Sequence, residues 1–490
     1  MFAQTISVAM VGVEARPVRI EAHVGKPKDI FTLVGLPDTA VREAKDRVRA
    51  AIVSTGREFP HRRITVNLSP ADLPKAGSDY DLPIALGVLA ATGHLPGSAL
   101  RLVSAGELSL DGSVRRSRTA IGAALLASRR GLPCIVAEGD AANAARVRGA
   151  RVYPVTSLAE AVAVVAGTQT PREPPQPGAD VESSIEDMSE VRGQPLARRA
   201  LEVAAAGSHH LLMVGPPGAG KTMLARRLPG ILPPLTPEEA VEVACLWSAA
   251  DRIRSFSASP PFRAPHHSAS AAAVIGGGHP HPHPGEISLA HRGVLLLDEL
   301  GEFPPYLLNA LRQPLEEGQV TIARRGSTVT FPAAAQVVAA SNPCPCGFRG
   351  DRVHPCRCTM SALDRYQRRL SGPFLDRFDL RIFASSPVAD SLLGPVAEDS
   401  ESIRQRVVAA RQIQLERGAV NGRLTRAQLD REPVGLEVRS LLARAVDNGV
   451  LTGRGVDRVR RVARTVADLV GSEEVAEVHI AEALAFRGEV

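Results

Sequence analysis

The residues best suited to chemistry lie in the middle of the chain. Gly215 to Thr222 reads Gly-Pro-Pro-Gly-Ala-Gly-Lys-Thr. It follows the apolar run His209–Val214 and precedes Met223–Leu228, which favours a helix, so the context is strand, loop, helix. A loop of Gly215, Pro216, Pro217, Gly218, Ala219 and Gly220 closes its free backbone amides around phosphate oxygens, and the helix N-terminus adds a favourable dipole. Lys221 then reaches the β- and γ-phosphates, and the Thr222 hydroxyl ligates Mg²⁺. Only five of the 58 basic residues are lysines (26, 28, 45, 75 and 221). Beyond Lys75 the chain uses arginine everywhere except at position 221, where a compact ammonium suits a phosphate.

Val294 to Leu300, Val-Leu-Leu-Leu-Asp-Glu-Leu, is an apolar strand ending in two carboxylates. Downstream of a phosphate loop, Asp298 is placed to hold Mg²⁺ and Glu299 to polarise the attacking water. A further apolar strand ends at Asn342, which can orient that water or sense the γ-phosphate. Arg377, between apolar pairs in Phe-Leu-Asp-Arg-Phe-Asp, has two readings: an arginine finger offered to a neighbouring subunit, or an ion pair with Asp376 or Asp379. Arg369 is a second candidate finger. Cys344, Cys346, Cys356 and Cys358 crowd into fifteen positions. Four thiolates suffice for a structural Zn²⁺, although one intervening residue in each pair is unusual; the alternative is a reduced, thiol-rich loop. His279, His281 and His283 alternate with prolines, which suggests an extended exposed loop, with metal binding the minor reading. Arg263, His266 and His267 could contact nucleotide or DNA, and sequence does not choose.

These groups need elements to position them. Alternating apolar residues in Val18–Val24 and Arg63–Leu68 predict strands, and Val41, Ala44, Val48, Ala51 and Ile52 predict an amphipathic helix over Thr39–Thr55. The continuous runs His209–Val214, Gly293–Leu297 and Ala335–Ala340 suit buried parallel strands. Val456, Val459, Ala463 and Val466 share one face of a helix opened by Arg454. The fold class is α/β, divided into an αβ region over 1–166, a proline-rich linker over 167–184, a second αβ block over 185–388 and a helical region over 389–490. In 490 residues, 44% hydrophobic and 22% charged content excludes wholesale disorder. No apolar run reaches a membrane span, and Met1–Arg16 lacks a secretory pattern. Sparse cysteines fit a reducing cytoplasm. The net charge of +6 is small, but residues 403–464 hold fourteen Arg and no Lys against six acids, an excess of eight. That segment and a pI near 9.2 favour nucleic acid, while 3% aromatics leave few base-stacking platforms.

In order along the chain, GPPGAGKT, FRAPHHSAS, GGGHPHPHPGEISLAHRGVLLLDEL, SNPCPCG, SGPFLDRFDL and LTGRGVDRVRRVARTVADL resemble the magnesium-chelatase-like AAA+ ATPases of the ComM/YifB type. FTLVGLPDTAVREAKDRVRAAI and RRITVNLSPADLPKAGSDYDLPIALGVLAA extend the resemblance to the amino-terminal third. It implies a homohexameric ring binding ATP and Mg²⁺, with an amino-terminal Lon-protease-like domain, a central AAA+ P-loop domain and a carboxy-terminal helical lid. It implies that Asn342 is the first sensor, Arg377 the finger acting in trans, and Arg454 the second sensor on the lid. It also implies a helicase driving branch migration of DNA junctions in recombination or natural transformation, alongside other recombination proteins. Alternatives are a magnesium chelatase motor subunit, against which the long amino-terminal region weighs, and an ATP-dependent unfoldase or protease. At the Lon nucleophile position stands Asp81, with Ser78 nearby, so no peptidase is expected. Lys75 reads as a solvated loop lysine.

Overall fold

The computed structural model describes all residues except 36–38, 72, 74, 76, 177–185, 251, 253–255, 279–281, 325–326, 352–353, 371, 387–394, 433 and 489–490. Its amino-terminal part is a mixed seven-stranded sheet in the order Ile30–Val34, Arg63–Ser69, Glu14–Val24, Phe2–Val11, Val103–Ser104, Pro133–Ala137 and Arg151–Val155. The first two long strands pair antiparallel from Phe2 opposite His23 to Val11 opposite Glu14. Their alternating residues bury Val18, Ile20 and Ala22 on one face, as a period of two requires. Helix Asp81–Ala91 lies against these strands, and helix Thr39–Ser54 packs into the same core with Val41, Ala44, Val48, Ala51 and Ile52, each fully buried.

The polar groups of this region are spent internally. Asp81 begins helix Asp81–Ala91, is wholly buried, and accepts from Arg47 Nε at 2.6 Å, Arg47 Nη2 at 3.0 Å and the Leu108 amide at 3.2 Å. Ser78 Oγ bonds to Glu107. Lys75 is not the solvated lysine its sequence context suggests. Its side chain is buried, and the ammonium bonds to the Pro70 carbonyl.

The central sheet is all parallel, in the order Phe262–Arg263, Val294–Leu297, Gln336–Ser341, Leu211–Val214 and Leu380–Phe383. Helices cover both faces, so its strands are apolar on both sides rather than alternating. All four residues of Val294–Leu297 are buried, each stabilising the fold by roughly 1.5–3 kcal/mol. Helix Pro237–Ala249, started by a Thr236–Glu239 capping box, joins this unit to the amino-terminal one. Its Ala240, Val241, Val243 and Cys245 share a core with Val8, Ala120, Ala123 and Val136.

From Ser400 the chain is helical. Helices Ser400–Glu416 and Gly453–Leu469 pack against Pro195–Gly207 and extend the central core. Here the sequence reading of the arginine-rich segment needs correcting. Arg404, Arg406, Arg417, Arg426, Arg458, Arg460 and Arg464 pair with carboxylates of the same chain. Arg411 donates to the carbonyls ending helix Pro195–Gly207. Many of these charges are cross-braces between helices, which a charge count cannot reveal. The linker is also less free than its prolines suggest, since Arg172 pairs with Glu138 and Glu160. Its residues 177–184 lie outside the described residues. Among the described residues, no helix is long and apolar enough to cross a membrane.

Candidate nucleotide site

The carboxyl ends of the central parallel strands meet at a cavity of about 500 Å³ lined by Pro217–Met223, Asp298, Glu299 and Ala340–Asn342. Parallel strands deliver this convergence, because consecutive strands point their following loops to one edge of the sheet. Gly215 leaves the strand so close to its neighbour that a Cβ there would sit 2.1 Å from the Ala384 carbonyl oxygen. Only glycine lets the loop turn at that spot.

Lys221 opens helix Lys221–Ile231, with its ammonium donating to the carbonyls of Gly215 at 2.7 Å and Pro216 at 2.9 Å and to Asn342 Oδ1 at 3.3 Å. Desolvation pushes its pKa down, against the pull of Asp298. The ammonium is therefore tethered at the cavity wall by neutral oxygens, which a phosphate would outcompete. The Thr222 hydroxyl donates to Asp298 Oδ2 at 2.7 Å, which brings together the hydroxyl and carboxylate suited to share one Mg²⁺. The residues present thus fit Mg-nucleotide: an ammonium held by neutral oxygens, a paired hydroxyl and carboxylate, and an open glycine loop.

Glu299 holds φ at +53°, a left-handed conformation rare for a residue with a side chain. Such strain is kept where geometry demands it. Its carboxylate lies 3.3 Å from His267 Nδ1, and His267 is fixed by stacking on His266 (4.0 Å between centroids) and by the edge of buried Phe303. Sequence reasoning flagged His267 without linking it to Glu299. The two are thirty-two positions apart, and nothing in their spacing pairs them. Arg263 is committed elsewhere: it pairs with Glu286 and lies over the Trp247 ring. His266 bonds to Ser268 at 2.7 Å. His283 sits in a short hairpin, Gly276–Gly277 with His283–Pro284, rather than a plain extended loop, and bonds the Ala249 carbonyl; His279 and His281 lie outside the described residues.

The structure does not bring every candidate to this cavity. Arg377 lies just before strand Leu380–Phe383, at the amino end of the sheet, where the Asp379 and Leu380 amides donate to the His210 carbonyl at 3.1 Å. It pairs with Glu316 and not with Asp376 or Asp379, the partners of the ion-pair reading, and its Nε has no partner among the described residues. With Arg423, Arg458 and Arg461 it lines a cavity of about 420 Å³. Arg454, exposed, stands one turn before Arg458 on the same helix. Neither candidate lines the phosphate-loop cavity. Arg369 is exposed and lies 3.8 Å from Glu302, three residues past Glu299.

The four cysteines do come together: their sulfurs lie within 4.8 Å of one another, immediately after Asn342.

A phosphate loop between a buried parallel strand and a helix, facing paired carboxylates on a second strand, defines a P-loop nucleoside-triphosphatase fold. Three family models match: "Magnesium chelatase, subunit ChlI" over residues 187–391, "Subunit ChlI of Mg-chelatase" over 19–140, and "Magnesium chelatase, subunit ChlI C-terminal" over 397–487. The chain is 43% identical to an uncharacterized protein YifB of Salmonella typhimurium, covering 98% of this chain and 96% of that one. It is likewise 43% identical to competence protein ComM of Haemophilus influenzae, covering 99% and 97%. A shorter likeness, 32% over 139 residues, links it to Lon protease 2 of Bacillus subtilis, covering 27% and 25%. The chain belongs to the ComM/YifB family of magnesium-chelatase-like AAA+ proteins.

Proposed function

We propose that this chain is an ATP-hydrolysing motor that remodels branched DNA during recombination or uptake of foreign DNA. The observation that carries the catalytic half is the convergence of Lys221, Thr222, Asp298, Glu299 and Asn342 on one cavity. When bound, Mg-ATP supplies the scissile β–γ phosphoanhydride. Lys221 binds its terminal phosphates, Thr222 and Asp298 hold the metal, Asn342 orients the attacking water, and Glu299 takes up that water's proton. Arg377, at the far end of the sheet, and Arg454, on helix Gly453–Leu469, act on the nucleotide of the next copy in a ring, which the family resemblance sets at six. The amino-terminal unit is a Lon-like scaffold without peptidase chemistry, a reading supported by the buried, ion-paired Asp81.

The DNA half rests on the full-length likeness to a competence protein. The arginine-rich segment supports it less than its charge suggests, because its guanidinium groups are largely engaged within the chain. A chelatase motor subunit is the second reading, favoured by the names of the matching family models. The amino-terminal region alone does not separate the two, since residues 19–140 also match a model described as a chelatase subunit.

The test is a branch-migration assay on three- and four-stranded junctions with Mg-ATP, using Glu299→Gln as control. The proposal expects ATP-dependent strand exchange by the wild type and none by the variant. ATP hydrolysis with neither junction remodelling nor stimulation by DNA would contradict it and bring the chelatase reading forward.

A further inference from the structure

The four cysteines sit where a metal would act on the nucleotide cavity. Cys344 lies 3.3 Å from Cys346 and 3.7 Å from Cys356, and Cys346 lies 3.6 Å from Cys356, measured between sulfurs. A tetrahedron with Zn–S bonds of about 2.3 Å has sulfur–sulfur edges of roughly 3.8 Å, so the set is close to closed tetrahedral size. None of the four is in a disulfide. The Cys346 amide donates to Cys358 Sγ at 3.4 Å. His354 is not a fifth member: it stacks on Phe348 and faces Asp351.

The cluster is joined to the cavity at two points. Asn342, whose Oδ1 accepts from Lys221, is separated from Cys344 by one residue, and its carbonyl is held by the Tyr366 hydroxyl at 3.0 Å. The Gly347 amide closes a turn onto the Cys344 carbonyl at 2.9 Å, and φ at Gly347 is +86°. A Cβ on Gly347 would lie 2.7 Å from Pro217 Cδ, so this turn rests directly on the phosphate loop.

We propose that Cys344, Cys346, Cys356 and Cys358 bind one Zn²⁺, and that this ion braces Asn342 and the phosphate loop so that its presence sets the affinity for ATP. Binding forms four Zn–S bonds and releases the thiol protons to solvent. Four thiolates leave no open position, so the ion is structural. Soft sulfur ligands select it over Mg²⁺, which keeps the two metals of the region apart. The inference rests on the nucleotide reading of the cavity and not on the DNA reading.

The experiment measures metal content of the full-length chain purified without chelator, then binding of a fluorescent ATP analogue before and after zinc is stripped. The expected result is one zinc per chain, with affinity falling roughly 10- to 100-fold on stripping and returning on readdition. Cys356→Ser with Cys358→Ser loses both zinc and affinity. Gly347→Ala keeps its zinc yet binds the analogue more weakly, because the added methyl pushes on Pro217. A chain without zinc, a chain carrying iron instead, or a stripped chain that binds the analogue as tightly as before would overturn the proposal. Failure to bind the analogue even with zinc loaded would overturn the nucleotide reading instead.

Discussion

The two ends of the central sheet are built on opposite principles. At the carboxyl end, a short glycine-rich loop, one lysine and two carboxylates face a cavity, with polar groups only lightly committed. At the amino end, four arginines line a second cavity whose carboxylates are already engaged: Asp379 with His209 at 3.1 Å and with Arg458, and Glu316 with Arg377. One end has the features that hold a nucleotide, and the other sets two further arginines, Arg423 and Arg461, beside the ion pairs of Arg377 and Arg458. The difference teaches that a single chain carries two unlike halves. In the proposed ring, the arginine end of one copy faces the phosphate end of the next.

The largest effect that bears on this comparison comes from the arginine end. Arg377→Ala should lower ATP turnover by on the order of 10³-fold while leaving nucleotide binding near that of the wild type, since fingers act mainly on the transition state. Equal loss of binding and turnover, read by steady-state kinetics alongside analogue binding, would place Arg377 in the fold and not in the site.

A smaller effect is expected at the phosphate end. His267→Ala frees the strained Glu299 from its partner and should reduce kcat roughly tenfold with KM for ATP unchanged, with His267→Asn retaining more activity. A change in KM alone would mean that His267 shapes the cavity and does not position the carboxylate.

The smallest is a dependence of stability on pH, seated at the arginine end. Desolvation and nearby cations push His210 down to about 4, and its Nδ1 accepts from the Val337 amide at 3.0 Å, which requires the neutral ring. In the unfolded chain the imidazole titrates near 6.5, so between about 6.5 and 4 the unfolded state binds more protons and stability falls as pH falls. Over that window the thermal midpoint of the wild type should fall relative to that of His210→Asn. Equal slopes would remove His210 from the account.

Much of the phosphate end was legible because its parts are contiguous in the chain. Gly215–Thr222 and Asp298–Glu299 are short strings whose spacing is itself the geometry. The strands beneath them were legible for a related reason: a continuous apolar run such as Val294–Leu297 is what burial on both faces demands. The arginine end was not legible, because it is assembled from residues about 250 positions apart, His209 to Arg461. Counting charge there also misled. An arginine bridging two helices and one facing solvent count alike in a sequence, and only the partners distinguish Arg406, bound to Glu202 on another helix, from exposed Arg454. Lys75 failed for the converse reason: a turn-rich neighbourhood suggests solvent, whereas the side chain is buried and its ammonium bonds to the Pro70 carbonyl.

The most direct test of the two-ended account is subunit mixing. Lys221→Ala removes the phosphate end but keeps the arginine end, and Arg377→Ala does the reverse. Each variant alone should hydrolyse ATP only marginally. Mixed, dissociated and reassembled, they should regain activity that peaks near equal proportions, because an intact Lys221 in one copy then meets an intact Arg377 in its neighbour. Mixtures that stay inactive at every ratio, although the variants co-assemble, would contradict a site shared between copies.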